Sequence, residues 1–404
     1  MKGHKMLSNA EYQNVQCERR VFMWHWGKEG AGAKFTGALA RGLQGLPDTK
    51  LAISAASASD LARDMSACVD LPVQSVKIFE GDKAKLSGKL AAGFALLSLP
   101  RIGAEFSGAL DEFRPDVALC AFQSIWDLAA LPVLRRAASR FVLILHDAEP
   151  HPGDRYPMRS MVLGWEVKAA DALIALSDHV AREAERIYGF PADRIYTVPH
   201  GAFTFGEPVL GPRRFPEGKP FKLLFFGRIV AYKGLGLLLE AYRLLRERGL
   251  AIELSIVGSG DLGPYRAALQ GLEGVSVQNG WVDDTAIADA LVEADAVVLP
   301  YVEASQSGVA AAAFSAALPV IATPVGGLVE QVDDGKTGLI AKAVSAEALA
   351  ETIAHLATSS QTYTKCSDGA LRHARETLDW GVIATRVSRI IDDVARRPRR
   401  HIAS

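Results

Sequence analysis

The chain has 404 residues, 49% hydrophobic and 23% charged, with a net charge of −1; that length makes two or three domains with their own cores, and the balanced charge gives no basic field for nucleic acid. The four cysteines, Cys17, Cys68, Cys120 and Cys366, lack C-x-x-C spacing, which argues for reduced cytosolic thiols and against a metal site or disulfide framework. No apolar run reaches the roughly 18 residues that span a bilayer, and Met1–Arg20 lacks the apolar core of a secretory signal.

Apolar runs that end in glycine or polar residues predict strands at 21–26, 51–54, 76–79, 117–121, 141–146, 172–176 and 195–198. A second series follows at 222–226, 253–257, 275–278, 296–299, 320–322 and 338–341. Helical patterns alternate with them, which predicts an α/β chain with parallel sheets covered by helices. Between the two series, residues 203–220 hold four Pro and three Gly without periodicity and read as a linker.

The first strand leads into Trp26-Gly-Lys-Glu-Gly-Ala-Gly-Ala-Lys34 and a helix from about Phe35 to Leu43. Gly30 and Gly32 in that loop let backbone amides approach a ligand, although the strict dinucleotide spacing is absent. Lys28 and Lys34 either add positive charge there or are simply solvated. The strand at 141–145 delivers His146-Asp147 to the carboxyl end of its sheet, where parallel sheets bind ligands. His25 reads equally as a core or a rim residue, and Pro199-His200-Gly201 reads as a turn.

The strongest signal is Lys222-Leu-Leu-Phe-Phe-Gly-Arg-Ile-Val-Ala-Tyr-Lys-Gly234. A strand stops at Gly227 and presents Arg228 and Lys233 beside the start of a helix at 235–248, an arrangement suited to a phosphate. Ile256-Val-Gly-Ser-Gly260 and Gln278-Asn-Gly280 end two further strands in glycine turns, so Gly258 is either a ligand contact or turn chemistry. The strand at 297–301 then leads through Glu303, Ser305, Gln306 and Ser307 to Gly308 and a small-residue helix at 309–317. Ser305 or Ser307 is its expected N-cap. The helix start carries roughly half a positive charge, and would point at a diphosphate. Glu303 is placed to accept from sugar hydroxyls.

Taken in order, Gly227-Arg228, Lys233-Gly234, Val257-Gly-Ser-Gly260, the Glu303 loop and Leu318-Pro-Val-Ile-Ala-Thr-Pro-Val-Gly-Gly-Leu-Val-Glu330 with Asp334-Gly-Lys-Thr-Gly338 resemble the family 4 retaining glycosyltransferases. The resemblance is dense from about Phe221 to Gly338, thinner in the first half, and resumes at Asp379-Trp380. It implies the GT-B fold, two Rossmann-like domains whose parallel sheets face a central cleft. The implied division is 1–203 for an acceptor-binding domain, 204–379 for a nucleotide-sugar-binding domain, and 380–404 for a helix crossing back.

By that resemblance, Arg228 and Lys233 neutralise a diphosphate leaving group. Gly30, Gly32, Gly258, Ser305, Gln306, Ser307 and Gly308 complete the donor site. His146 contacts the transferring sugar, its backbone or ring stabilising the oxocarbenium-like transition state, and configuration is retained by front-face attack. Fixed cations take the place of a metal, and no cofactor is expected beyond the donor substrate. One departure concerns the ribose: where the family commonly has a second glutamate, this chain has Ala311, or Ala312 in the register set by Pro319.

Two other readings stay open: a nucleotide-sugar epimerase or hydrolase, and a catalytically silent nucleotide-sugar-binding subunit. The expected acceptor is a glycan, a glycolipid or another hydroxyl compound, in cell-surface polysaccharide synthesis. Lys77, Lys83, Lys85, Lys89 and Arg101 flank Leu90–Leu99 in the least family-like stretch. That segment reads either as a helix with a solvated face or as a peripheral contact with the inner face of the membrane. The tail Arg396-Arg-Pro-Arg-Arg400 carries the same two readings.

Overall fold

The computed structural model describes residues 18–28, 30–66, 68, 71–78, 96–149 and 157–400. Lys83, Lys85, Lys89 and Leu90 lie outside the described residues, and with them most of the segment expected to meet a membrane.

The first sheet contains β1 Arg19–His25, β2 Thr49–Ala56, β3 Val73–Val76, β4 Val117–Cys120, β5 Arg140–Leu145, β6 Ala172–Ala175 and β7 Ile195–Thr197. All pair in parallel, in the order β3-β2-β1-β4-β5-β6-β7. The second contains β8 Phe221–Phe226, β9 Ile252–Gly258, β10 Val275–Asn279, β11 Ala296–Leu299, β12 Val320–Ala322 and β13 Gly338–Ile340. Its order is β10-β9-β8-β11-β12-β13, again parallel. Such sheets are covered on both faces, so their strands are near-continuous apolar runs rather than alternating ones. Alternate residues feed opposite cores: Phe22 and Trp24 enter one, Val21 and Met23 the other. The second sheet divides in the same way, with Leu223 and Phe225 on one face and Leu224 on the other.

The order reverses between β1 and β4 in the first sheet, and between β8 and β11 in the second. A crevice opens outside the carboxyl ends of the strands at such a point, because the connections leave in opposite directions. The sheet order therefore selects four loops: those after β1, β4, β8 and β11.

Two chain crossings join the halves. Residues 203–220 contain no helix or strand, as a linker should. The second crossing enters the helix Trp380–Arg396, capped by Asp379, whose side chain accepts from Gly381 and Val382 N–H. Ile383, Ala384, Val387 and Ile391 of this helix join the core of the first domain, beside Phe35 and Leu39. The crossings are tied together: Ala202 N–H donates to the Leu378 carbonyl at 2.8 Å, and Trp380 Nε1–H to the Ala202 carbonyl at 2.8 Å.

The basic tail is an internal fastener. Arg399 donates to the Ala137 and Leu134 carbonyls, and Arg400 N–H to Asp171, a carboxylate only 2% exposed by residue. Arg397 pairs with Asp193 and Asp393. Those arginines are engaged with carbonyls and carboxylates of the first domain, where helix ends leave carbonyls without intrahelical partners.

Candidate functional site

Both switch-point loops of the second domain meet at Gly227. It follows β8 with φ 115°, and a Cβ there would lie 3.0 Å from Lys233 Nζ and 3.6 Å from Val309. The lysine thus turns back over the strand end, with its ammonium 5.2 Å from the centroid of the Tyr301 ring. Val309 is in the first turn of the helix Gly308–Ser315, whose first amides have no carbonyl four residues earlier. A cation and a positive helix end therefore converge beside the carboxyl ends of β8 and β11, which attracts an anion with several oxygens. Arg228 is exposed next to them. Among the described residues, Glu303 is exposed and Gln306 half-buried on the loop that enters this helix.

Three of the expected donor-site residues, Gly258, Ser305 and Ser307, are buried. Gly258 is buried with its Cα against the Gly227 carbonyl: a Cβ there would sit 1.8 Å from that oxygen. It permits the close approach of the two strand ends. Ser305 and Ser307 are 7% and 4% exposed. Ser307 occupies the N-cap position, but its hydroxyl caps nothing and lies 3.4 Å from the Tyr301 hydroxyl. Its N–H donates to Gln331 Oε1 at 2.7 Å, so this amide is committed inside the protein. The amides of the first helical turn begin with Gly308.

In the first domain, Gly30 has φ 91° and is the N-cap of the helix Ala31–Gln44, which has no side-chain cap and no acidic residue in its first turn. Gly32 is buried, and a Cβ on it would meet the His25 ring at 2.8 Å and Phe122 at 2.9 Å. His25 is 3% exposed; Nδ1–H donates to the Phe122 carbonyl at 2.8 Å. Nε2 of His25 has no hydrogen-bond partner among the described residues. Burial lowers its pKa to about 4.

His146 sits 3% exposed between Phe35 and Phe122, with ring centroids 4.6 and 4.2 Å away. Its Nε2–H donates to the Ala121 carbonyl at 3.0 Å, and burial lowers its pKa to about 3. The ring is thus packed among aromatic side chains, and the backbone of His146 is the part that follows the carboxyl end of β5. β5 ends at Leu145, and the next side chain turns under the cleft, where an aromatic cage and a carbonyl receive it.

His200, which reads as a turn residue, is the residue that sequence reasoning missed. It is 5% exposed and bonds locally, Nδ1–H to the Gly201 carbonyl at 2.7 Å. Its ring lies 5.2 Å from Phe35, and a Cβ on Gly308 would be 3.5 Å from it. A packed chain thus runs from Gly32 through Phe122, His146, Phe35 and His200 to the helix start in the other domain. The signal available in the sequence was a histidine at a strand end, before glycine, at the interdomain crossing. Lys34 also crosses the cleft: it pairs with Asp284 and lies 5.1 Å from the Phe205 ring centroid.

Among the described residues, Cys120, Asp127 and Glu166 bring three potential metal-ligand atoms within 4.8 Å of one another. All three are buried inside the first domain, away from the cleft loops. Burial raises the Asp127 pKa to about 6 and pushes the Cys120 thiol well up. Trp24 Nε1–H and Ser124 N–H donate to Asp127, at 3.1 and 2.6 Å. No helix among the described residues is long and apolar enough to cross a membrane.

Comparison with known proteins fits this arrangement. Residues 220–359 match the family described as glycosyl transferases group 1, and residues 89–204 match glycosyltransferase family 4; together these cover more than half of the chain. The D-inositol 3-phosphate glycosyltransferase of Arthrobacter sp. (strain FB24) is 31% identical over 238 residues, 55% of each chain. The glycogen synthase of Mycobacterium tuberculosis (strain CDC 1551 / Oshkosh) is 26% identical over 236 residues, 57% of this chain and 56% of that one. The chain thus matches little more than half the length of these relatives. Among solved structures, Anabaena HepE with UDP and glucose superposes with a TM-score of 0.70 at 16% identity, covering 93% of this chain and 100% of that one. The same protein with UDP-glucose gives 0.69.

Proposed function

We propose, for a chain that belongs to the family 4 glycosyltransferases and carries the GT-B fold, transfer of a sugar from a nucleotide-diphosphate donor to a hydroxyl acceptor with retention of configuration. The observation that supports this most is the convergence of Lys233 Nζ, Gly227 and the helix start at Gly308–Val309. A diphosphate leaving group gains charge as its bond to the anomeric carbon breaks. Fixed donors and cations aimed at that charge stabilise the transition state more than the ground state. In this reading Lys233 and Arg228 hold the diphosphate, with the Gly308 amides, and Gly30 and Gly32 approach from the first domain. The acceptor oxygen bonds to the anomeric carbon on the face that the diphosphate leaves, and its proton passes to the departing phosphate oxygen. Fixed cations supply the charge neutralisation, so the proposal invokes neither a metal nor a cofactor.

Glu303 is exposed at the entrance of the helix start and is assigned to the sugar hydroxyls. His146 and His200 are assigned a supporting role, as the packed floor between Phe35 and the helix start. The donor base is assigned as uracil because the superposing Anabaena protein holds UDP and UDP-glucose. A phosphorylated polyol or a glycan is the favoured acceptor class, from the printed activities of the relatives. Work at the inner face of a membrane, in polysaccharide synthesis, belongs to the same proposal.

The test is a thermal-shift screen of nucleotide sugars and nucleoside diphosphates, followed by product analysis. A ligand at a hundred times its Kd adds about 2.7 kcal/mol. Stabilisation by a nucleoside diphosphate together with slow release of that diphosphate, accelerated by an acceptor, is the expected result. Epimerised or hydrolysed donor as the main product, at any acceptor concentration, would replace this reading by the isomerase or hydrolase one.

A further inference from the structure

The short helix Leu328–Gln331 carries two neighbouring side chains that face different domains. Glu330 reaches the first domain. Its Oε1 accepts from Arg182 Nη2 at 2.7 Å, and its Oε2 from His179 N–H at 3.2 Å. His179 is in the first turn of the helix Asp178–Tyr188, so the carboxylate sits at the positive end of that helix. Gln331 turns back into its own domain. Its Oε1 accepts Ser307 N–H at 2.7 Å, and its Nε2 donates to the Ser307 carbonyl at 3.4 Å.

The loop before this helix is held from both sides. Gly327 N–H donates to the Ala304 carbonyl at 2.9 Å. Ser177 of the first domain, which also caps the helix Asp178–Tyr188, donates its hydroxyl to the Ser305 carbonyl at 2.8 Å. Gly326 and Gly327 permit this stacking, because Cβ atoms there would lie 1.8 Å from the Ala304 oxygen and 2.0 Å from the Ser305 oxygen. Backbone groups of residues 304, 305 and 307 are thus held between the first domain and the short helix.

We propose that Glu330 is a positioning residue that couples approach of the two domains to the placement of the Gly308 helix start, through Gln331. The inference rests on the reading of that helix start as a diphosphate site. With the domains together, Glu330 is held by Arg182 and the His179 amide, and Gln331 is held on Ser307. When the domains part, both partners of Glu330 leave, and so does the Ser177 bond to the same loop. The helix start then loses two of its supports at once.

The experiment compares the full chain with Glu330→Gln, Arg182→Ala, Gln331→Ala and the charge exchange Arg182→Glu/Glu330→Arg. Small-angle scattering reads the radius of gyration with and without UDP, and calorimetry reads UDP affinity. Glu330→Gln and Arg182→Ala should expand the free protein and weaken UDP about three- to tenfold, the effect of one surface ion pair plus one helix-end contact. Gln331→Ala should weaken UDP to a similar degree without expanding the protein. The charge exchange should recover part of the compactness that the single variants lose. Unchanged radius and unchanged UDP affinity in both Glu330→Gln and Arg182→Ala would overturn the coupling. If the unaltered protein binds neither UDP nor GDP, the diphosphate reading has failed; the scattering comparison then still decides whether Glu330 holds the domains together.

Discussion

Lys233 folds back over Gly227, six residues earlier, with its ammonium nitrogen 3.0 Å from the point where a Cβ on that glycine would stand. The lysine is half-buried and rests over the Tyr301 ring. Its charge is thereby held at the end of β8 rather than left to wander in solvent. Lys233→Ala and Arg228→Ala should each weaken nucleoside diphosphate binding by about 1.5–3 kcal/mol, ten- to a hundredfold, since each removes a charge-assisted contact. Calorimetry with UDP checks this. Gly227→Ala should do similar damage, because its φ of 115° and the adjacent lysine leave no room for a methyl group.

Stability should fall on acidification, from about pH 6.5 toward 4. Burial lowers the pKa values of His25, His146 and His200 to about 4, 3 and 4, against an ordinary 6.5. In that window the unfolded chain binds protons that the folded chain refuses, so protons favour unfolding. Asp127 works the other way: its pKa is raised to about 6, so the folded state holds an extra proton between about pH 4 and 6. Three histidines against one carboxyl leave a net uptake of about two protons on unfolding near pH 5, or roughly 2.7 kcal/mol per pH unit. Urea unfolding at a series of pH values reads the slope. His146→Gln should reduce it by about 1.4 kcal/mol per unit.

Ala311 and Ala312 are 0% and 1% exposed in the body of the helix Gly308–Ser315, and neither offers a group to a ribose. Ribo- and 2′-deoxyribonucleoside diphosphates should therefore bind within about threefold of each other. A hydrogen bond to a charged acceptor would separate them by about tenfold or more. Competition binding with UDP and 2′-deoxy-UDP tests the point. Glu303→Gln should weaken an intact nucleotide sugar more than the bare diphosphate, since the carboxylate is assigned to the sugar.

Deleting the chain beyond Arg396 should lower the melting temperature. The tail satisfies the Ala137, Leu134 and Val167 carbonyls and the buried Asp171 carboxylate. Loss of the Asp171 contact alone leaves an acceptor short of a partner, which costs about 1–3 kcal/mol. For a protein of this size that is a shift of a few degrees, read by calorimetry. The same truncation should leave UDP affinity unchanged, because the tail is fastened to the first domain away from the cleft loops.

How far the site was legible follows from the range of each interaction. The end of β8 proposed to hold the diphosphate was readable because Gly227, Arg228 and Lys233 are neighbours in the chain. A strand that stops at glycine beside a helix start is a local event. Gln331 was not readable. Its bond to Ser307 spans 24 residues and exists only because β12 lies beside β11. Glu330 was visible only as the end of the Leu318–Glu330 motif, and its partner was not: the carboxylate is engaged by Arg182, 148 residues earlier.

The strand and helix pattern, the parallel sheets and the glycine-ended strand that carries Arg228 and Lys233 were determined by the sequence itself. Apolar runs, glycine stops and helical periods act over a few residues, and among the described residues the strands lie within two residues of where those patterns place them, except β3, which runs Val73–Val76 where 76–79 was expected because it pairs with Ile53–Ala56 of β2. The tertiary structure decided which strand-end residues face the cleft and which face the core. His146, Gly258, Ser305 and Ser307 stand at strand or helix ends, yet all are buried, while Glu303 and Arg228 remain exposed. A strand end fixes the location of a side chain but not its direction. Direction depends on which partners neighbouring strands bring within reach: the Ala121 carbonyl for His146, the Gly227 carbonyl for Gly258, and Gln331 for Ser307. A buried polar group turns toward whatever satisfies it, because leaving it unpaired costs more than the contact it gives up to solvent.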